Sequence, residues 1–357
     1  MKDATRVSSW FCDTLAETLM AQKVKWGILG AASIAQRRVL PAMQECERAE
    51  VVAIASRSIE RAKAFARQFS IPKAYGSYEE LLADTEVEAV YNPLPNHLHV
   101  EWSIRAASRG KHVLCEKPLS RTVAEARHLL EARDDYQVKI GEAFMVRTHP
   151  QWLRTQELVH TGRIGKLRSA AGFFSYFNVD PANTRNMAEL AGGALMDIGC
   201  YPIKTSRFVF AEEPVRVIAC IERDPSFKTD RLTSAILEFP TGQCIFTVST
   251  QMVYYQKMRF FGTEGRIDVE IPFNAPADKP TRIFIDDGRD LYAGGSVITE
   301  SFPICNQFTI QADLFSAAIR DNTEVPNPLE DSVCNMAVID ALFRSAESGK
   351  WEVPERL

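Results

Sequence analysis

The sequence predicts an α/β chain in two parts: a doubly wound parallel sheet, then an α+β unit around a large, mostly antiparallel open sheet. Three observations carry that expectation. Short apolar runs alternate with helical patterns through about residue 145, the rhythm of parallel strands joined by crossover helices. A glycine turn at Gly30 joins the first apolar run to the first helix. From Leu167 onward, apolar runs follow one another without intervening helices, as antiparallel strands do.

Composition excludes several classes of function. A chain of 357 residues, 46% hydrophobic and 25% charged, suits a two-domain globular protein. A formal net charge of -4 and the lack of any basic stretch exclude a nucleic-acid partner. No apolar run approaches the ~20 residues that span a bilayer. The 8 cysteines are scattered without a CxxC pair, which points to reduced thiols in a cytoplasmic protein and to no metal site.

Residues 1–23 lack the apolar core and cleavage site of a secretory signal. Leu15, Leu19 and Met20 form a stripe, so a short leader helix or arm is expected there. Val24 to Gly30 is the first strand, and Gly30, Ala32 and Ala35 stand at the spacing of the dinucleotide fingerprint of a Rossmann unit. Small residues there let the backbone approach a pyrophosphate met by amides at a helix start. A helix is expected to follow through about Glu47.

Glu50 to Ala55 is the second strand. At its end the fingerprint for NAD places a carboxylate, and this chain has Ser56-Arg57-Ser58 with Arg61 one turn further on. Arginines and small hydroxyls accommodate a ribose 2'-phosphate, so NADP is expected ahead of NAD. Ser58 doubles as a helix cap. Ser77 and Glu80 read as the capping box of the next helix. Glu88 to Tyr91, the third clear strand, runs into Asn92-Pro93-Leu94-Pro95-Asn96-His97, a stiff loop with polar tips. His97 there is as open to a ligand-facing role as to a structural one.

After a helix of about 97–109 comes His112 to Cys115, a strand that delivers Glu116-Lys117 to its carboxyl end and stops at Pro118. Ligands sit at that end of an open parallel sheet. A helix of about 121–134 and a strand of about 138–145 complete a domain spanning 24–147, with 148–357 as the second. No Gly/Ser linker separates them, so tight packing is expected.

The second domain opens with a helix of about 149–161 and a long strand, Leu167 to Phe177. Strands are expected at 215–224, 230–239, 243–252, 256–262 and 266–271, with a hairpin turn at Pro240-Thr241-Gly242. Helices of about 307–320 and 329–348 close the chain. In Leu190-Ala191-Gly192-Gly193-Ala194-Leu195-Met196-Asp197-Ile198-Gly199-Cys200-Tyr201, the glycines allow close backbone approach and a helix begins. Asp197 and Tyr201, four apart, are expected on one face of it.

The stretches WGILGAASIA, YNPLPNH, CEKP and GGALMDIGCYPI, in this order and spacing, resemble the glucose-fructose oxidoreductase / inositol dehydrogenase superfamily (Gfo/Idh/MocA) over roughly residues 24 to 348. Tyr201 stands where many members carry histidine, which resembles the branch of NADP-dependent xylose dehydrogenases and dimeric dihydrodiol dehydrogenases. The resemblance implies Tyr201 as acid/base, Lys117 as its assistant and Asp197 as a holder of substrate hydroxyls. It maps cofactor contacts onto Gly30, Ser33, Ile34, Ser56, Arg57, Asn92, Asn96, His97, Glu116 and Lys117; Arg61 is added from spacing. It also implies a homodimer, or a dimer of dimers, built on the open sheet face.

On this basis the expected activity is hydride transfer between a sugar, an aldose or a keto-sugar, and NADP. A phenol with an ordinary pKa of ~10 is a poor base near neutrality, and a neighbouring Lys117 ammonium is expected to lower it. A trans-diol dehydrogenase acting on cyclic diols is the alternative enzyme. A dinucleotide sensor is the alternative from another class, although a sensor has no need of Lys117 and Tyr201.

Overall fold

The computed structural model describes residues 22–290 and 297–357; the leader expected at 1–23 lies outside them except for its last two residues. The first sheet has six parallel strands: β1 (Val24–Leu29), β2 (Ala49–Ala55), β3 (Lys73–Tyr75), β4 (Ala89–Asn92), β5 (His112–Glu116) and β6 (Ile140–Ala143). Their order is β3-β2-β1-β4-β5-β6. β1 is central, and all of it but Lys25 is buried, as its near-continuous apolar run requires. The chain reverses direction across the sheet between β1 and β4, which opens a crevice at their carboxyl ends.

Helices α1 (Leu40–Gln44), α2 (Ile59–Gln68), α3 (Tyr78–Ala83), α4 (His99–Ala107) and α5 (Val123–Tyr136) cover this sheet. Ser58 accepts from Arg61 N and Ser77 from Glu80 N, so both expected caps form. The first helix departs from expectation. A π-helical turn, Ala35–Val39, precedes α1, and α1 ends at Gln44 rather than Glu47. Pro41 has no N–H to return to the turn before it, and such a gap favours a widened turn.

The second sheet has eight strands in the order β14-β13-β12-β11-β7-β10-β9-β8. They are β7 (Leu167–Phe177), β8 (Arg216–Arg223), β9 (Asp230–Glu238), β10 (Gln243–Ser249), β11 (Gln251–Gly262), β12 (Arg266–Val269), β13 (Thr281–Asp286) and β14 (Ile298–Phe302). Only β7 and β10 pair in parallel, so the sheet is mostly antiparallel as expected. The turn after β9 closes with Phe239 N donating to Gly242 O at 2.7 Å. β11 begins five residues before the expected start and carries a bulge between Gln251 and Tyr255. β3, β13 and β14 are strands that the apolar pattern does not announce.

Helices α6 (Pro150–His160), α7 (Cys200–Phe210), α8 (Gln307–Arg320) and α9 (Leu329–Ser348) complete the fold. The expected boundary after residue 147 divides the sheets but not the packing. α8 lies against the first sheet: Trp26 Nε1 donates to Ser316 Oγ at 3.0 Å, the Trp26 and Phe315 rings are 5.7 Å apart, and Arg320 pairs with Glu88. The reason is burial, since Trp26 and Phe315 fill one apolar cluster with β1 and β2. No helix among the described residues is long and apolar enough to cross a membrane.

Candidate active site

Gly30 ends β1 with φ +93°, and a Cβ there would come within 2.8 Å of Leu94 Cδ2. Only glycine meets both demands. Ser33 and Ile34 lie exposed just beyond it. At the end of β2, Ser56 is buried and Arg57 is exposed, its side chain hydrogen-bonded to Tyr78. Arg61 Nη2 donates to Ala31 O at 2.7 Å, which holds its guanidinium over the glycine turn. Among the described residues, no carboxylate pairs with Arg57 or Arg61. Two cations at a glycine turn, neither paired with an acid among the described residues, and no acid at the end of β2 fit a dinucleotide carrying an extra phosphate.

The loop after β4 divides into two roles. Asn92 does not present its side chain to a ligand: Nδ2 donates to His99 O and Ser103 Oγ, both at 3.1 Å, and Oδ1 accepts from Leu94 N. Complete burial drives that choice. Asn96 reaches the second domain, donating to Ala191 O at 3.1 Å. His97 Nδ1 is buried without a partner, an atom left for a ligand to satisfy. His99, unremarked in the sequence, ties this loop to the next: Nδ1 lies 2.8 Å from Pro118 O and Nε2 2.7 Å from Leu94 O.

Glu116 closes β5, accepting from Tyr91 OH at 2.6 Å and from Lys117 N at 3.2 Å. Burial raises its carboxyl above the ordinary value. The Lys117-Pro118 bond is cis. Lys117 Nζ then crosses to the second domain, where it donates to Asp197 O at 2.6 Å and to Asp197 Oδ1 at 3.1 Å. Burial works against the ammonium, but the Asp197 carboxylate, Tyr201 and Cys200 together outweigh burial and hold the lysine charged above its ordinary value.

Asp197 lies in a π-helical turn, Leu195–Gly199, that precedes α7 and Pro202. Its other oxygen accepts from Tyr176 OH at 2.7 Å and meets Arg185 Nε at 2.8 Å. Burial alone would raise this carboxyl; Arg185 and Lys117 reverse the effect and hold it well below the carboxylate range. Asp197 is thus saturated by protein groups rather than turned to a substrate's hydroxyls. Tyr176 and Arg185 are site residues that sequence spacing missed, since they come from a strand and a loop that meet Asp197 only in the fold.

The same widened turn ends two residues before Tyr201, and Lys117 Nζ reaches both Asp197 and Tyr201. The Tyr201 ring is buried among Phe144, Phe174 and Phe273, with centroids 4.8 to 5.6 Å away. Its hydroxyl points to Met145 Sδ at 3.9 Å, and Lys117 Nζ stands over the ring at 5.1 Å from its centre. The expected depression of the phenol does not occur. Burial pushes Tyr201 up, the opposing pull of the Lys117 ammonium is weaker, and Cys200, Glu116 and Asp197 add to the upward push. Among the described residues no cluster of three metal-ligating side chains exists.

A dinucleotide turn at a switch point and a lysine-acid-tyrosine centre at the adjoining domain define an oxidoreductase. Residues 24–144 match the profile described as "Oxidoreductase family, NAD-binding Rossmann fold", and residues 152–268 match the GFO/IDH/MocA C-terminal domain. The chain belongs to the Gfo/Idh/MocA oxidoreductase family. It is 49% identical to an uncharacterized oxidoreductase from Rhizobium meliloti, over 92% of this chain and 98% of that one. It is 38% identical to D-xylose 1-dehydrogenase (NADP(+)) 2 from Haloferax volcanii, over 91% and 98% respectively. Among solved structures, a 3-ketoreductase from Actinomadura kijaniata with NADP and TDP-benzene superposes with a TM-score of 0.84 at 30% identity, covering 91% of this chain and 98% of that one.

Proposed function

We propose that this chain is an NADP-dependent sugar oxidoreductase in which Tyr201 is the acid/base and Lys117 assists it. The observation that carries the proposal is the placement of the Lys117 ammonium, fixed by Asp197 and standing over Tyr201, at the carboxyl ends of the parallel strands. Solved forms of the Actinomadura ketoreductase include one with a tyrosine replaced and others with a lysine replaced. Those two residues stand as far apart in that chain as Lys117 and Tyr201 do in this one, which supports the pairing.

Bound NADP supplies the hydride acceptor, or in its reduced form the donor. Gly30, Ser33, Ile34, Ser56, Arg57, Arg61, Asn96, His97 and Glu116 are the residues that would hold it. Lys117 and Tyr201 would face the oxygen of the reacting carbon. Tyr201 keeps its proton in the resting site, which suits delivery of a proton to an alkoxide in keto-sugar reduction; the same group accepts it in aldose oxidation. The Lys117 ammonium meets the charge that develops on that oxygen, beside the aromatic cluster that buries Tyr201.

The open face of the second sheet supports a homodimer as the working form. Ile245 and Tyr255 are exposed there beside Phe173 and Ile236 around a concavity of about 700 Å³, an apolar hollow that a second copy could cover. A monomer by sedimentation at micromolar concentration would refute that assembly.

The activity is tested by following the absorbance of reduced nicotinamide with NADP+ or NAD+ across aldoses, inositols and cyclic diols, and with NADPH across keto-sugars. Turnover of a sugar with NADP(H) is expected. Silence in both directions, with NADP binding demonstrated by thermal shift, overturns the proposal.

A further inference from the structure

We propose that Glu142 is a positioning residue whose single carboxylate ties the loop carrying Lys117 to the helix carrying Tyr201. The inference rests on the roles assigned above to those two residues. Glu142 lies in β6 with its side chain 1% exposed. Oε1 accepts from Leu119 N at 3.0 Å, two residues beyond Lys117. Oε2 accepts from Lys204 Nζ at 2.8 Å, and Lys204 stands one turn beyond Tyr201 in α7. One rigid group therefore spans the two elements between which the reacting oxygen would sit.

The surroundings hold that carboxylate in place. Lys204 Nζ also donates to Ser332 Oγ at 3.0 Å and pairs with Asp331 at 2.9 Å. Asp331 is held in turn by Arg207 at 3.0 Å, and Asn327 Nδ2 donates to Glu142 O at 3.2 Å. Glu142, Lys204 and Ser332 are buried, so this carboxylate acts only through the elements it joins. A buried ion pair is a poor source of stability compared with an apolar pair of the same shape. It is a good source of fixed geometry, because a carboxylate with both oxygens engaged has one allowed orientation. Misplacement by an ångström at a reacting centre costs on the order of 100-fold in rate.

Two double variants separate geometry from stability. Glu142→Leu with Lys204→Met removes the buried charges and the acceptor for Leu119 N–H. Glu142→Gln with Lys204→Met removes the charges but keeps an acceptor. With D-xylose and NADP+, the first is expected to lose about tenfold or more in kcat with the KM for NADP+ within about threefold, and the second to stay within about threefold of wild type. Equal behaviour of the two, whether both active or both impaired, overturns the inference. Crystal structures of both decide it independently of turnover: the Lys117–Asp197 contact should be lost in the first and kept in the second, and its retention in both is a refutation. Tyr201→Phe measured in parallel tests the underlying roles separately, because full activity there discards the proposed acid/base while leaving the structural comparison of the Glu142 variants standing.

Discussion

Lys117 touches Asp197 twice, at 3.1 Å from the carboxylate and at 2.6 Å from the main-chain carbonyl oxygen. The lysine comes from the end of a parallel strand in the first domain and the aspartate from a widened turn in the second. The contact therefore fixes one ammonium against both a charge and a main-chain carbonyl across the cleft. An ammonium so held stands over Tyr201 without being free to follow it.

Replacing either partner of the proposed reacting pair should separate chemistry from binding. Tyr201→Phe and Lys117→Met are each expected to lower kcat by about 10²- to 10⁴-fold. NADP affinity in Tyr201→Phe, read by calorimetry, should stay near wild type. Retained turnover in either variant would remove that residue from the mechanism.

Cofactor choice is expected to follow the two arginines at the glycine turn. Charge-assisted hydrogen bonds of this kind contribute about 1.5–3 kcal/mol. The double change Arg57→Ala and Arg61→Ala should therefore raise the KM for NADP+ by about 10- to 100-fold per lost contact and leave that for NAD+ nearly unmoved. Equal losses with both dinucleotides would assign the arginines to folding instead.

Asp230 gives the fold a particular dependence on pH. Burial pushes its carboxyl up to about 6, against the bonds it accepts from Leu195 N at 2.6 Å and Thr233 Oγ at 2.9 Å. Below about pH 4 the group is protonated in both folded and unfolded chains and costs nothing. Between about pH 4 and 6 the unfolded chain loses the proton first, so stability falls as pH rises, by at most on the order of 3 kcal/mol, and then levels off. Asn in its place keeps an acceptor for Leu195 N and cannot ionise. The melting temperature of wild type minus that of Asp230→Asn should decline from pH 4.5 to 7; a difference constant with pH would show that Asp230 does not titrate there.

Gly193 admits no side chain. Its φ is +120°, and a Cβ would stand 1.9 Å from Asp230 Oδ1. Gly193→Ala must displace the carboxylate that holds Leu195 N at the start of the turn bearing Asp197. A loss of about 3 kcal/mol or more in chemical denaturation is expected. A change under about 1 kcal/mol would mean that Asp230 moves aside freely.

The sequence predicted best where one periodicity persists. Leu167–Phe177, Gln307–Arg320 and Leu329–Ser348 were legible to the residue because long apolar stripes had clear stops. β14, with an exposed pattern in Ile298–Phe302, and β3, only three residues long, owe their pairing to neighbours rather than to their own composition. Lys117 and Asp197 were legible because each sits in a motif of small residues and proline. Tyr176 and Arg185 were not, because nothing near them in sequence signals the carboxylate they share. The pKa of Tyr201 was misjudged for a related reason: spacing reveals a neighbouring charge but not the depth of burial that opposes it.

The bond from Trp26 to Ser316 joins the third residue of β1 to a helix residue 290 positions further along the chain. During synthesis, β1 must wait for those 290 residues to emerge before its indole finds a partner. Fragments ending after the first domain would expose Trp26, the Glu88 carboxylate and the flank of Gly141 that Phe315 covers. The dinucleotide-binding half is therefore not a module that could be cut out and grafted elsewhere: a helix translated long after β1 is what makes that strand native.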